Sequence, residues 1–220
     1  MKKVISLLLV IIFSFSLASC REDISTKIVS DKKVTVTATV YLNKDEYEAL
    51  MEAGEDVTWD TSDGKAPKFT DVTIDGVEYK KYTETKKYKD FKKYKKECLS
   101  DYSSVSTKDL YCTFSGTNLD DTSYPVDVNL TFTMPYKIKL TNGKKIGDYS
   151  VEFKSIKPDN KTIYYLTTEK STAAWTKAKN IKSAIKDNIQ KQKVKNTKVA
   201  NFKIKAKKGK KKIVVKNNSG

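Results

Sequence analysis

Val34-Thr35-Val36-Thr37-Ala38-Thr39-Val40-Tyr41-Leu42 repeats with a period of two, and this constrains the fold more than any other feature of the chain. Successive side chains of a strand point to opposite faces, so Val34, Val36, Ala38, Val40 and Leu42 share one apolar face and threonines occupy the other. The pattern predicts a half-buried antiparallel strand. It recurs in Val126, Val128, Leu130, Phe132 and Met134, which alternate with Asp127, Asn129, Thr131 and Thr133 until Pro135 limits the strand. Tyr136, Ile138 and Leu140 follow, then Tyr149, Val151 and Phe153, all predicted inward, and a last strand through Ile163, Tyr165 and Thr167. Asp75-Gly76, between Val72/Ile74 and Val77/Tyr79, is the dipeptide of a tight type I′ hairpin, and Asn142-Gly143 predicts a second hairpin.

Three segments switch to helical spacing. Asn43 is placed to cap a helix over Lys44 to Ala53, with Gly54 ending it. A helix from Thr85 to Leu99 would put Tyr88, Phe91, Tyr94 and Cys98 on one stripe, with seven lysines mostly on its other sides. Solvated lysines around an aromatic stripe account for this mixture without a nucleic-acid partner. From Ser171 to about Gln192, Ala174, Ala178, Ile181, Ile185 and Ile189 recur at intervals of three and four. That helix either docks on the sheet or lies as a basic amphipathic helix on an anionic bilayer. Closely spaced strands with two to three helices predict an α+β fold built on an antiparallel sheet.

The 220 residues include 43 Lys or Arg and 27 Asp or Glu, a net charge of +16, and no histidine. Without histidine the chain has neither Ser-His nor Cys-His catalysis, nor His-ligated zinc. Residues 1–170 carry only +1, while residues 171–220 contain 16 lysines and one acid, Asp187. The excess charge therefore belongs to the C-terminal segment, not to a uniformly basic surface. Asp120-Asp121 and Glu46 with Glu48 are the carboxylate pairs that could be considered for acid/base work. Adjacent acids in a turn or on an exposed helix are ordinarily solvated, so a non-enzymatic protein with no cofactor and no metal site is expected.

Met1-Lys2-Lys3 and the 12-residue apolar run Val4 to Phe15 have the form of an export signal and are too short for a membrane helix of about 20 residues. Leu17-Ala18-Ser19-Cys20 resembles the lipobox of bacterial lipoproteins. The resemblance implies cleavage after Ser19, a diacylglyceryl group on Cys20, and a domain held on the extracytoplasmic face of the cell membrane, or at the outer membrane in a Gram-negative source. Two acyl chains anchor stably where one holds only marginally. The alternative is an ordinary signal cut elsewhere. Residues 20–27 are read as the lipidated start and tether. Cys98 and Cys112 remain, both placed on apolar stripes; they either form a disulfide, closing a loop in an exported chain, or stay as two buried thiols.

The lipobox, the first strand and helix, Asp75-Gly76-Val77-Glu78-Tyr79, the lysine-rich helix, Met134-Pro135-Tyr136-Lys137-Ile138 and Thr141-Asn142-Gly143 together resemble the LppM-type bacterial lipoprotein domain. The resemblance covers roughly residues 24–168. It implies a helix-grip-like fold, a curved sheet around a helix with an apolar cavity for a lipid. Val199 to Asn217 resembles the first hairpin of a fibronectin type III module, as found in surface proteins of low-GC Gram-positive bacteria; the alternatives are a hairpin leaning on the main domain and a flexible basic tail. The expected organisation is a signal peptide (1–19), tether (20–27), α+β domain (28–170), amphipathic helix (171–192) and basic tail or hairpin (193–220). The partners expected are the membrane through Cys20, a lipid or other amphiphile, and, for an adhesion or scaffolding role, a cell-wall polyanion gripped by the basic C-terminus.

Overall fold

The structure, a computed structural model, describes residues 21–53, 67–98, 104–113, 127–156 and 161–201, excluding the side chains of 50, 95–98, 104 and 192–201. The described residues divide into two compact units, one ending at Thr172 and one beginning at Ala173. In chain order the first contains β1 (Arg21–Ser30), β2 (Lys33–Asn43), α1 (Lys44–Glu52), β3 (Thr70–Ile74), β4 (Val77–Tyr88), α2 (Phe91–Cys98), β5 (Ser104–Val105) and β6 (Asp109–Cys112). It continues with β7 (Asp127–Thr133), β8 (Ile138–Thr141), β9 (Lys144–Lys145), β10 (Ser150–Phe153) and β11 (Tyr164–Thr168). The second unit holds a 3₁₀ turn (Ala174–Lys177) and α3 (Ile181–Asn201). The fold is α+β and mostly strand, as expected.

The large sheet has the order β3-β4-β2-β1-β7-β10-β9 and the small one β5-β6-β11-β8. β2 alternates as its sequence requires: Val34, Val36, Ala38, Val40 and Leu42 are all buried, and the residues between them are not. A single hydrophobic cluster draws Val34, Val36, Phe132 and Val151 from the large sheet and Leu110, Leu166 and Ile138 from the small one. α2 adds Tyr94, edge-on to Tyr88 at 5.7 Å. The Asn43 side chain accepts from the backbone N–H groups of Asp45 and Glu46, capping α1 as the sequence predicts. Asp75 and Gly76 both have positive φ, 50° and 82°, the geometry of a type I′ turn between Ile74 and Val77.

The structure corrects several expectations. Residues 21–27 are not a tether: β1 starts at Arg21 and lies between β2 and β7. The sheet is not wholly antiparallel, because β7 runs parallel to β1. Residues 85–88 are not helical, since β4 pairs with β2 as far as Tyr88↔Val34. That ladder outweighs the local helical spacing, and α2 begins only after Asp90, whose carboxylate accepts from the Lys92 N–H at 2.8 Å. α3 starts at Ile181, with Asn180 Oδ1 accepting from the Ser183 N–H, and continues to Asn201. Residues 199–201, the start of the fibronectin-like hairpin, are therefore helical; the rest of that segment lies outside the described residues.

Asn142-Gly143 is a corner between sheets and not a hairpin turn. β8 pairs with β11, whereas β9 and β10 belong to the large sheet. Asn142 extends the β8 ladder with its side chain, Nδ2 donating to the Ile163 carbonyl at 2.7 Å and Oδ1 accepting from the Tyr165 N–H at 2.8 Å. Residues 146–149 form a bend, so strand alternation does not extend before Ser150; Val151 and Phe153 are buried but Tyr149 is 45% exposed. At Gly143 an added Cβ would lie 2.6 Å from Val151, 2.7 Å from Phe153 and 2.8 Å from the Glu152 carbonyl. Gly143→Ala is thus expected to destabilise by about 1 to 3 kcal/mol, read as a lower urea midpoint at unchanged slope. An unchanged midpoint would contradict this close approach.

Candidate functional site

β1 places two different polar systems on the two faces of the large sheet. Cross-strand neighbours share a face, so Val128, Glu22, Val40 and Tyr82 form one row across β7, β1, β2 and β4. The next row is Leu130, Ile24, Ala38 and Glu84. Glu22 is thus a carboxylic acid on an otherwise largely apolar inner face. It is 2% exposed, and its Oε1 has no hydrogen-bond partner among the described residues. Glu46 of α1 has a second such oxygen, Oε2, toward the same end of the sheet, where β2 runs into the helix. Val40 and Leu42 are buried and Tyr82 is half-buried on these strands, and the Phe69 ring lies 6.1 Å from that of Tyr82 and 5.1 Å from that of Tyr47 in α1.

A buried carboxylate without donors is costly, and the group responds by staying protonated. Loss of solvation, with a smaller contribution from the neighbouring Asp23 charge, pushes the Glu22 carboxyl up to about 8. Near neutral pH it is therefore largely a neutral acid that can donate one hydrogen bond and accept others. On the opposite face several polar groups are paired with one another. Arg21 donates to both carboxylate oxygens of Asp23 at 3.0 Å, and its guanidinium lies 5.5 Å from the Tyr41 ring centre. Asn129 Nδ2 donates to Asp23 Oδ1 at 2.9 Å, and Asn129 Oδ1 accepts from the Ser155 N–H at 3.0 Å. Thr37 with Thr85 and Thr39 with Thr83 hydrogen-bond across β2 and β4.

Because the neutral form is favoured in the fold, Glu22 contributes full stability below about 4.5 and loses it as pH rises toward about 8. Glu22→Gln should remove this slope, on the order of 1 kcal/mol per pH unit within that window. Its denaturation midpoint should exceed that of the parent at pH 8 and approach it at pH 4. Parallel pH profiles would show that Glu22 is solvated.

Of the residues singled out in the sequence, Cys20, Asp120 and Asp121 lie outside the described residues. Glu48 is an exposed partner of Lys80 at 3.6 Å and forms no acid/base pair. Cys98 ends α2, and its side chain is not described. Among the described residues Cys112 is a free, buried thiol. It sits in β6 among Leu110 and Tyr111, and burial pushes the thiol up to about 12. It should therefore resist alkylation by iodoacetamide in the native protein and react in denaturant. Failure to react in denaturant until a reductant is added would instead establish a disulfide. Glu22 and Asn129 were not singled out by the sequence. The available signal was the alternation of Ile24, Thr26 and Ile28 with Asp23, Ser25 and Lys27, which extends a strand back toward Cys20.

No protein-family model matches the chain, and no curated protein does. Among solved structures, it is similar to the folded domain of LppM from Mycobacterium tuberculosis, determined by NMR. The two are 15% identical with a TM-score of 0.43, over 73% of this chain and 95% of that one.

Proposed function

We propose that the protein is a lipid-anchored bacterial lipoprotein, non-enzymatic, whose sheet domain binds a lipid or another amphiphile. The anchor reading rests on Leu17-Ala18-Ser19-Cys20 and places the protein on the extracytoplasmic face of the membrane. The observation that carries the binding reading is Glu22, a buried carboxyl with an unpartnered oxygen on the inner face of the sheet, with a second orphan oxygen on Glu46. Unsatisfied buried acceptors are met by a ligand polar group that donates hydrogen bonds, such as a hydroxyl or an ammonium. The apolar Val40, Leu42, Val128 and Ile24 around Glu22 suit the aliphatic part of the same molecule. A helix-grip-like arrangement, with sheet and helix enclosing an apolar cavity, is the geometry that such a ligand needs.

The charge split favours a second reading. With +15 in residues 171–220, the C-terminal segment would grip anionic headgroups or wall polymers and make the protein an envelope adhesion or scaffolding module.

Native mass spectrometry of the Cys20→Ser protein tests the first reading. A copurifying amphiphile is expected, together with its loss in Glu22→Leu, which keeps the volume and removes the polar contact. A clean ligand-free mass, with no environment-sensitive dye bound or displaced by phospholipid, would overturn it.

A further inference from the structure

The charges of the large sheet are distributed unequally between its two ends. At the end where β1, β4 and β7 begin and β2 stops, most cations are neutralised. Arg21 pairs with Asp23 at 3.0 Å, Lys44 with Glu78 at 2.9 Å and Asp71 at 3.8 Å, and Lys80 with Asp71 at 2.8 Å. At the other end, where β1 turns into β2 and β4 leads into α2, Lys27, Lys32, Lys33, Lys87, Lys89 and Lys92 are exposed. None of the six is in an ion pair among the described residues. Among the described side chains, the acids at the β1–β2 turn and the β4–α2 connection are Asp31 and Asp90, and the Asp90 carboxylate already accepts from the Lys92 N–H. α2 also carries Glu97, whose side chain is not described.

The six lysines are arranged by strand pairing. Lys27 and Lys87 flank Thr35 in one row, which separates their strands by about 10 Å. Lys33 lies two residues before Thr35 on the same face of β2, and Lys89 follows β4 at the same level. The array is open and spread out, so it suits several anionic groups in sequence better than one small anion. All its cations are lysines, point charges suited to phosphate, with no arginine fork for a planar carboxylate. We propose that this end of the sheet is a binding surface for a linear phosphodiester polymer of the cell envelope, separate from the basic C-terminal segment. The choice of polymer over the bilayer rests on the Cys20 anchor proposed above. β1 begins one residue after Cys20 and spans ten residues, so a strand that stands away from the bilayer would carry these lysines about 20 to 30 Å from it. A bilayer's surface potential decays over about 8 Å.

The test uses the purified Cys20→Ser protein and fluorescently labelled long-chain inorganic polyphosphate, titrated at several salt concentrations. The C-terminal lysines from Lys203 to Lys216 are first changed to Gln to remove their contribution. In that background, changing the six lysines to Gln should weaken binding at least tenfold at low salt. It should also reduce the slope of log affinity against log salt by about 4, from roughly 0.7 counterion released per phosphate neutralised. Lys68→Gln with Lys81→Gln, at the opposite end, should change neither quantity. Equal affinity and slope in the six-lysine variant would overturn the proposal. So would tighter binding to phosphatidylglycerol vesicles than to polyphosphate through the same lysines, which would assign the surface to a bilayer. Because Cys20 is absent from the assay, failure of the anchor reading would appear separately, as wild-type protein released from membranes by salt alone.

Discussion

The pairing of β1 on both its edges holds the large sheet together. One edge pairs antiparallel with β2 from Arg21 to Ser30, and the other pairs parallel with β7 from Arg21 to Lys27. Without it the sheet would separate into β3-β4-β2 and β7-β10-β9. The β1–β2 ladder needs only the two-residue turn at Asp31-Lys32, but the β1–β7 ladder joins segments about a hundred residues apart. Such non-local pairing incurs its loop-closure entropy before any contact stabilises it. Its compensation is the row-by-row burial of Val128, Leu130 and Phe132 beside Glu22, Ile24 and Thr26.

The same strand determines how polar groups are treated on each face. Asp23 and Asn129 are satisfied because the parallel register brings them side by side with Arg21 in reach. Glu22, one residue away, points to the other face and meets valines. An apolar residue of the same volume would be more stable there, since a buried unpaired carboxyl loses its hydration with no return. The ends of the sheet differ in a comparable way. Carboxylates of α1, β3 and β4 converge on Lys44 and Lys80 at one end, while the turn and α2 at the other bring lysines with few acids. A nearly neutral body therefore has two electrically distinct ends, a property that its net charge hides.

Much of the local structure was legible. The inner face of β2, the Asp75-Gly76 turn, the Asn43 cap and the inward Val151 and Phe153 all follow from spacing and residue type over a few neighbours. The misreadings share a physical origin. Residues 85–88 have helical spacing, yet a ten-residue ladder with β2 holds them extended. Tyr149 fits the strand period, but the bend at 146–149 turns it out. Asn142-Gly143 has hairpin composition, but its neighbours pair with strands of different sheets. Of the candidate site on the inner face of the sheet, none was readable. Glu22 looks like a solvated acid because the residues that bury it lie 18 and 106 positions away.

By itself, then, the sequence determined the alternating faces, the turn and cap chemistry and the concentration of charge after residue 170. These depend on side chains within a few positions of one another, where stereochemistry and period act directly. Strand order, the parallel β1–β7 pair, the burial of Glu22 and the separation of paired from unpaired lysines were decided only by the tertiary structure. Period two assigns a residue to a face but names neither the partner strand nor its direction, and burial and ion pairing depend on both.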